Sequence, residues 1–89
     1  MLYLIVNHTR KDLTEEQFAE LGQLAQAFYE NVPDGMTLRG DWGALDGSGT
    51  FSLIETEDRD LLDRVQAPFH DYVEMEVIPV APLSGWLNR

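Results

Sequence analysis

The sequence predicts an α+β fold of the ferredoxin-like βαββαβ kind, and three observations carry that prediction. Four short runs, residues 2–6, 36–45, 50–56 and 72–80, are rich in strand-forming side chains. Two intervening segments, after Thr14 and after Glu57, space their apolar residues as a helix does. The second and third runs are joined only by Asp46-Gly47-Ser48-Gly49, too short for a helix and rich in turn formers. Two right-handed crossovers then give a mostly antiparallel four-stranded sheet in the order 4-1-3-2, with two helices on one face.

The first strand, within MLYLIVNHT, is a continuous apolar run that stops at Asn7 and His8, as a strand buried on both faces does. Thr14 followed three residues later by Gln17 is a capping box, flanked by Leu13 and Phe18 as a hydrophobic staple. Glu15 and Glu16 suit the positive end of the helix dipole. Phe18, Leu21, Leu24, Ala25, Phe28 and Val32 form one apolar face, and Pro33-Asp34-Gly35 ends the helix. On the second strand Met36, Leu38 and Trp42 alternate with Thr37, Arg39 and Asp41. On the third, Phe51 and Leu53 alternate with Ser52 and Ile54. The second helix starts near Glu57, capped by Thr56 or Asp58, presents Leu61, Leu62 and Val65 to the core, and ends or kinks at Pro68. The last strand, YVEMEVIPV, sets Val73, Met75 and Val77 against Glu74, Glu76 and Ile78, and its Pro79 places it at a sheet edge. Residues 1–80 read as one domain and 81–89 as a C-terminal tail, with Trp86 as a packing anchor.

GALDGSGT, residues 43–50, has the look of a phosphate loop. It lacks the lysine such a loop places before its Thr, and a strand follows it where a helix N-terminus is needed. A hairpin turn that binds no nucleotide is the expectation.

With 16 acidic residues against 6 basic, the net charge of −10 offers no basic footprint for nucleic acid and disfavours an anionic membrane surface. Cysteine is absent, which removes disulfides, thiolate catalysis and cysteine metal sites. The apolar opening lacks a basic leader and is too short for a signal peptide or a membrane span, so a cytoplasmic protein is expected. His8 and His70 lack metal-ligand spacing, and no metal or other cofactor is expected.

Placing Val73, Met75 and Val77 under the helices puts Glu74, Glu76, Ile78 and Val80 on the opposite sheet face. Alternation then assigns Tyr3, Ile5, Asn7, Arg39, Asp41, Ser52 and Ile54 to that same face. Such a mixed face invites a second copy, enclosing a partly polar lumen. Arg39, Asp41, Glu74, Asn7 and Ser52 are the polar candidates for ligand binding there, and Tyr3 and Trp42 the aromatic ones. Glu74 and Glu76, about 7 Å apart on one strand, are paired carboxylates. Glu76, nearer the middle of the strand, is the candidate general acid or base, or the ion-pair partner of Arg39.

The segments MLYLIVNHT, FSLIETED, LLDRV and YVEMEVIPV resemble a small bacterial family of unknown function, similar in turn to the dimeric α/β-barrel superfamily. That superfamily includes cofactor-free monooxygenases of antibiotic biosynthesis, muconolactone-type isomerases, polyketide cyclases and stress-responsive barrel proteins; some larger members bind haem. The resemblance covers residues 1–80 and implies a homodimer with a lumen in each barrel half. It supplies no catalytic motif for these residues. Two functional readings follow. One is a homodimer that binds a small organic molecule, as a monooxygenase, isomerase or cyclase would. The other is a non-catalytic interaction module whose lumen is filled by side chains.

Overall fold

The structure, a computed structural model, describes residues 1–84; Trp86 lies outside the described residues. In chain order the elements are β1 (Leu2–Thr9), α1 (Glu15–Glu30), β2 (Met36–Gly43), β3 (Gly49–Thr56), α2 (Arg59–Gln66), a 3-10 turn (Ala67–Asp71) and β4 (Val73–Val80). The sheet order is β2-β3-β1-β4, the ferredoxin-like arrangement, and every neighbouring pair is antiparallel.

Local chemistry sets each boundary. Thr14 accepts from Gln17 N at 3.1 Å, and Gln17 Oε1 accepts from Thr14 N at 2.9 Å, so both halves of the capping box form. At the other end of α1 the Asn31 side chain donates to Ala27 O, and Gly35, at φ 90°, turns the chain toward β2. Replacing Thr14 with Ala removes one cap and is expected to cost about 1 kcal/mol in urea unfolding. A change below about 0.3 kcal/mol would mean that α1 does not depend on this cap.

α2 begins at Arg59, two residues later than the sequence places it. Asp58 is its N-cap and accepts from Leu61 N at 3.1 Å. Thr56 ties strand to strand instead: its hydroxyl donates to Gly35 O at 2.7 Å and accepts from Asp58 N. Pro68 sits in the first turn of the 3-10 segment, where its missing N–H costs nothing.

The GALDGSGT stretch is a hairpin turn. Asp46 Oδ1 accepts from Ser48 N at 2.9 Å, and Gly47 takes φ 76°. The Ser48 bond holds the Asp46 carboxyl below its ordinary pKa. Gly49 serves another purpose: a Cβ there would overlap the Asn7 carbonyl across the ladder, so β1 and β3 meet closely only because it is glycine.

The core is formed by Tyr3, Ile5, Met36, Ile54 and Leu62, with Phe28, Val65, Met75 and Val77 packed around it. Leu62 on α2 is fully buried, whereas α1 has no fully buried residue and Phe18 is 62% exposed. α2 is therefore the helix seated on the sheet, and α1 lies over it loosely. Among the described residues, no helix is long and apolar enough to cross a membrane.

Candidate functional site

Cross-strand partners share a face of a sheet, so the registers decide which side chains stand together. β4 behaves as the sequence predicts: Val73, Met75 and Val77 face the helices, and Glu74, Glu76, Ile78 and Val80 face away. β1 and β3 do not. Met75 is opposite Asn7, and Val77 opposite Ile5, which puts Tyr3, Ile5 and Asn7 under the helices. Ser52 is opposite Ile5 and Ile54 opposite Tyr3, so both follow them. The assignment of Tyr3, Asn7 and Ser52 to the open face is thus corrected. In a run apolar at both parities, such as LYLIV, alternation carries no information about side, and only the pairing with β4 fixes it.

β2 fails for another reason. An irregularity between Leu38 and Gly40 inserts Arg39 as an extra residue and reverses the parity beyond it. Arg39 remains on the open face, where its Nε donates to Glu55 Oε1 at 2.8 Å. Asp41, opposite Ser52, falls on the helix side at the exposed edge. Trp42, opposite Phe51, falls on the open face, where its indole lies over Gly40. β2 and β4 are at opposite edges, so Arg39 and Glu76 form no pair. Glu76, its side chain 62% exposed, is 3.5 Å from His8 Nε2, and Glu74 is 3.9 Å from Arg10. Both glutamates are hydrated.

The eight residues expected around one lumen are therefore divided between two faces. Arg39, Trp42, Glu74 and Glu76 stand on the open face around an apolar centre of Leu4, Val6, Leu53 and Ile78. Tyr3, Asn7, Asp41 and Ser52 stand on the helix side. Of these, Tyr3 is buried with the Arg59 guanidinium 5.3 Å from its ring centre, a packing role in the core.

Asn7 and Ser52 meet at a cavity of about 160 Å³ between the sheet, α1 and the α2–turn segment, open to solvent on one side, where Tyr29 and Thr50 are exposed. Its walls are mostly apolar: Ile5, Ile54, Leu21, Phe28, Val65 and Met75 are prominent. The cavity exists because α1 packs loosely and because Ala25, Thr50 and Ser52 are small where larger residues would fill it. Neutral polar side chains, Asn7, Thr9, Thr50, Ser52 and Gln66 with the phenol of Tyr29, interrupt the apolar wall. Asn7 Nδ2 donates to Thr50 Oγ1 at 3.2 Å, whereas Asn7 Oδ1 is buried without a donor. No Asp, Glu, His, Lys or Arg lines the cavity. Beside it, the Tyr72 hydroxyl donates to Glu20 Oε2 at 2.8 Å and ties α1 to the start of β4. That bond raises the Tyr72 pKa above the ordinary phenol value. The tie is therefore intact at neutral pH and is lost as pH rises through the raised value. Thr50, Gln66 and the helix-side cavity itself were not singled out in the sequence; a hidden polar residue such as Ser52 within a strand is the only local sign of them.

Among the described residues, no group of three His, Cys, Asp or Glu side chains is close enough to hold a metal ion. A family model described as "Domain of unknown function (DUF3303)" matches residues 1–87, beyond Val80 and into the tail. A crystal structure of SCO4226 from Streptomyces coelicolor A3(2) is similar in fold, with a TM-score of 0.51 and 14% identity over 92% of this chain and 100% of that one. No curated protein matches the chain.

Proposed function

We propose that this chain, which belongs to the domain-of-unknown-function family DUF3303, is a homodimeric small-molecule-binding protein whose ligand lies between the helices and the sheet. The observation that carries the ligand half is the mostly apolar cavity of about 160 Å³ with neutral polar side chains in its wall. A mostly apolar space with a few polar groups is the usual form of a ligand site.

The dimer half rests on the open face. Trp42 is 56% exposed, Phe51 38% and Ile78 39%, and they flank Leu4, Val6 and Leu53. A four-stranded face of this length presents about 500 Å² in projection on each copy, more once pleating is counted. That approaches the size class of stable interfaces, and a second copy matches an apolar face with an apolar face. Side chains fill the centre of this face, which favours a packed interface over a polar lumen between the two sheets. In this reading Glu74 and Glu76 are rim charges, Glu76 pairing with His8. The uncharged walls of the cavity, free of Asp, Glu, His, Lys and Arg, support binding of a neutral molecule.

Benzene titrated into isotope-labelled protein tests the ligand half. Chemical shifts should move at Ile5, Ile54, Leu21 and Met75, and replacing Ala25 with Phe, which fills the space, should abolish them while the fold persists. No response at these residues, or the same response in the Ala25→Phe protein, would overturn the proposal.

A further inference from the structure

We propose that Gln66 is the polar anchor of the ligand site and that the molecule it holds is a neutral carboxamide, whose amide meets the Gln66 amide while its apolar body lies under α1. The proposal rests on the reading of the helix-side cavity as a ligand site and names the chemistry of what that site takes.

Gln66 is the last residue of α2, the helix seated on the sheet by the fully buried Leu62. It is itself only 6% exposed, and a buried glutamine ordinarily has its amide paired. Among the described residues the Gln66 side chain forms no hydrogen bond, and its amide atoms, unlike Asn7 Oδ1, keep some accessible surface. That surface belongs to two hollows. Gln66 lines the cavity under α1 and also a second, open hollow between α2 and β4, bounded by Arg59, Asp63, His70, Met75 and Val77. Gln66 and Met75 are common to both. The amide therefore stands at the partition between them, an unpaired polar group on a firmly held helix.

A carboxamide side chain presents a carbonyl acceptor and an amide donor side by side. Water serves each separately; a second carboxamide serves both at once, donating to the Gln66 carbonyl and accepting from its amide nitrogen. The pairing holds whichever way round the Gln66 amide lies, because the ligand's amide turns with it. A carboxylate has acceptors only and an ammonium donors only, so each leaves one Gln66 atom unpaired. Either ion also loses hydration against a cavity wall without charged residues. The second hollow offers an ion little, since Arg59 Nε already bonds Asp63 Oδ1 at 3.0 Å. The chain's net charge of −10 adds long-range repulsion against anions. Because the cavity is open to solvent beside Tyr29 and Thr50, its volume sets no limit on the apolar body of the ligand. Recognition lies in the amide.

The experiment titrates benzamide, toluene and benzoate into isotope-labelled wild-type protein and into Gln66→Leu, and reads affinities by NMR. Toluene carries the ring without the amide; benzoate replaces the amide with a charge. The affinity ratio of benzamide to toluene should fall by at least about tenfold in Gln66→Leu, the effect of losing buried neutral hydrogen bonds. Benzoate should bind the wild type more weakly than benzamide does. In the wild-type protein alone, benzamide should shift the Gln66 side-chain amide resonances and toluene should not, a readout that holds even if Gln66→Leu fails to fold. An unchanged ratio, or Gln66 amide resonances indifferent to benzamide while toluene still shifts Leu21 and Ile54, would overturn the anchor and leave the cavity reading intact. Benzoate binding more tightly than benzamide would overturn the neutral carboxamide. Failure of all three to shift the residues under α1 would overturn both the anchor and the cavity reading.

Discussion

Replacing Leu4 with Arg is expected to turn a dimer into a monomer. Leu4 stands at the centre of the open face, with Leu53 of β3 on one side and Ile78 of β4 on the other. A guanidinium at that point would be buried against its own symmetry mate and against apolar side chains, without a counter-charge. A cost of at least about 3 kcal/mol corresponds to a dissociation constant raised more than about 100-fold. The fold should survive, because Leu4 points away from the core of Tyr3, Ile5, Met36, Ile54 and Leu62. Light scattering should give about twice the 10.1 kDa chain mass for the wild type and the single mass for Leu4→Arg. Leu45→Arg, on the hairpin turn and fully exposed, should leave the dimer untouched. A wild-type chain that remains monomeric at about 0.1 mM, about a hundred times a micromolar constant, would remove the dimer from the proposal.

Leu62→Ala is expected to be the most destabilising single truncation on the helices. Its side chain is fully buried between α2 and the sheet, where removal leaves a void that the surrounding β-sheet cannot close. Such truncations cost about 2–5 kcal/mol, a large share of the stability of a domain this small. Each kcal/mol lowers the melting temperature by about 4–8 °C at this size. Phe18→Ala on α1 should stay within about 0.5 kcal/mol, since Phe18 is 62% exposed. Thermal melts of the two variants measure the contrast directly. Equal losses would mean that α1 is seated as firmly as α2, and a cavity beneath it would then have no structural cause.

What the sequence made legible was whatever depends on neighbours a few residues apart. Thr14 and Gln17 cap α1 because three residues along a helix is a fixed distance. Asp46 and Gly47 turn the hairpin for the same local reason. The order of elements gave the sheet order, since crossover handedness leaves few topologies. β4 declared its faces because valine and methionine alternate there with glutamate. The rest depended on partners far away in the chain. LYLIV is apolar at every position, so nothing within β1 says that Tyr3, Ile5 and Asn7 turn inward; Met75 and Val77 opposite them decide it. Ser52 read as an open-face residue by alternation with Phe51 and Leu53, yet it is buried beside the cavity. The inserted Arg39 reverses β2, and the one local sign of it, Gly40 inside the strand beside it, was not read as a bulge. These three misplacements moved the polar candidates from a cavity beneath the helices to a lumen between two sheets. A cavity is in any case space left by several elements together, and no single segment encodes it.

Xenon under pressure in a crystal separates the two locations most directly, because it enters apolar cavities of this size and is seen without ambiguity. The expected result is one site per chain between α1 and the sheet, bounded by Ile5, Phe28, Val65 and Met75. Xenon held instead between the open faces of two copies, against Leu4, Leu53 and Ile78, or no xenon beneath α1 at all, would contradict a ligand site on the helix side of the sheet.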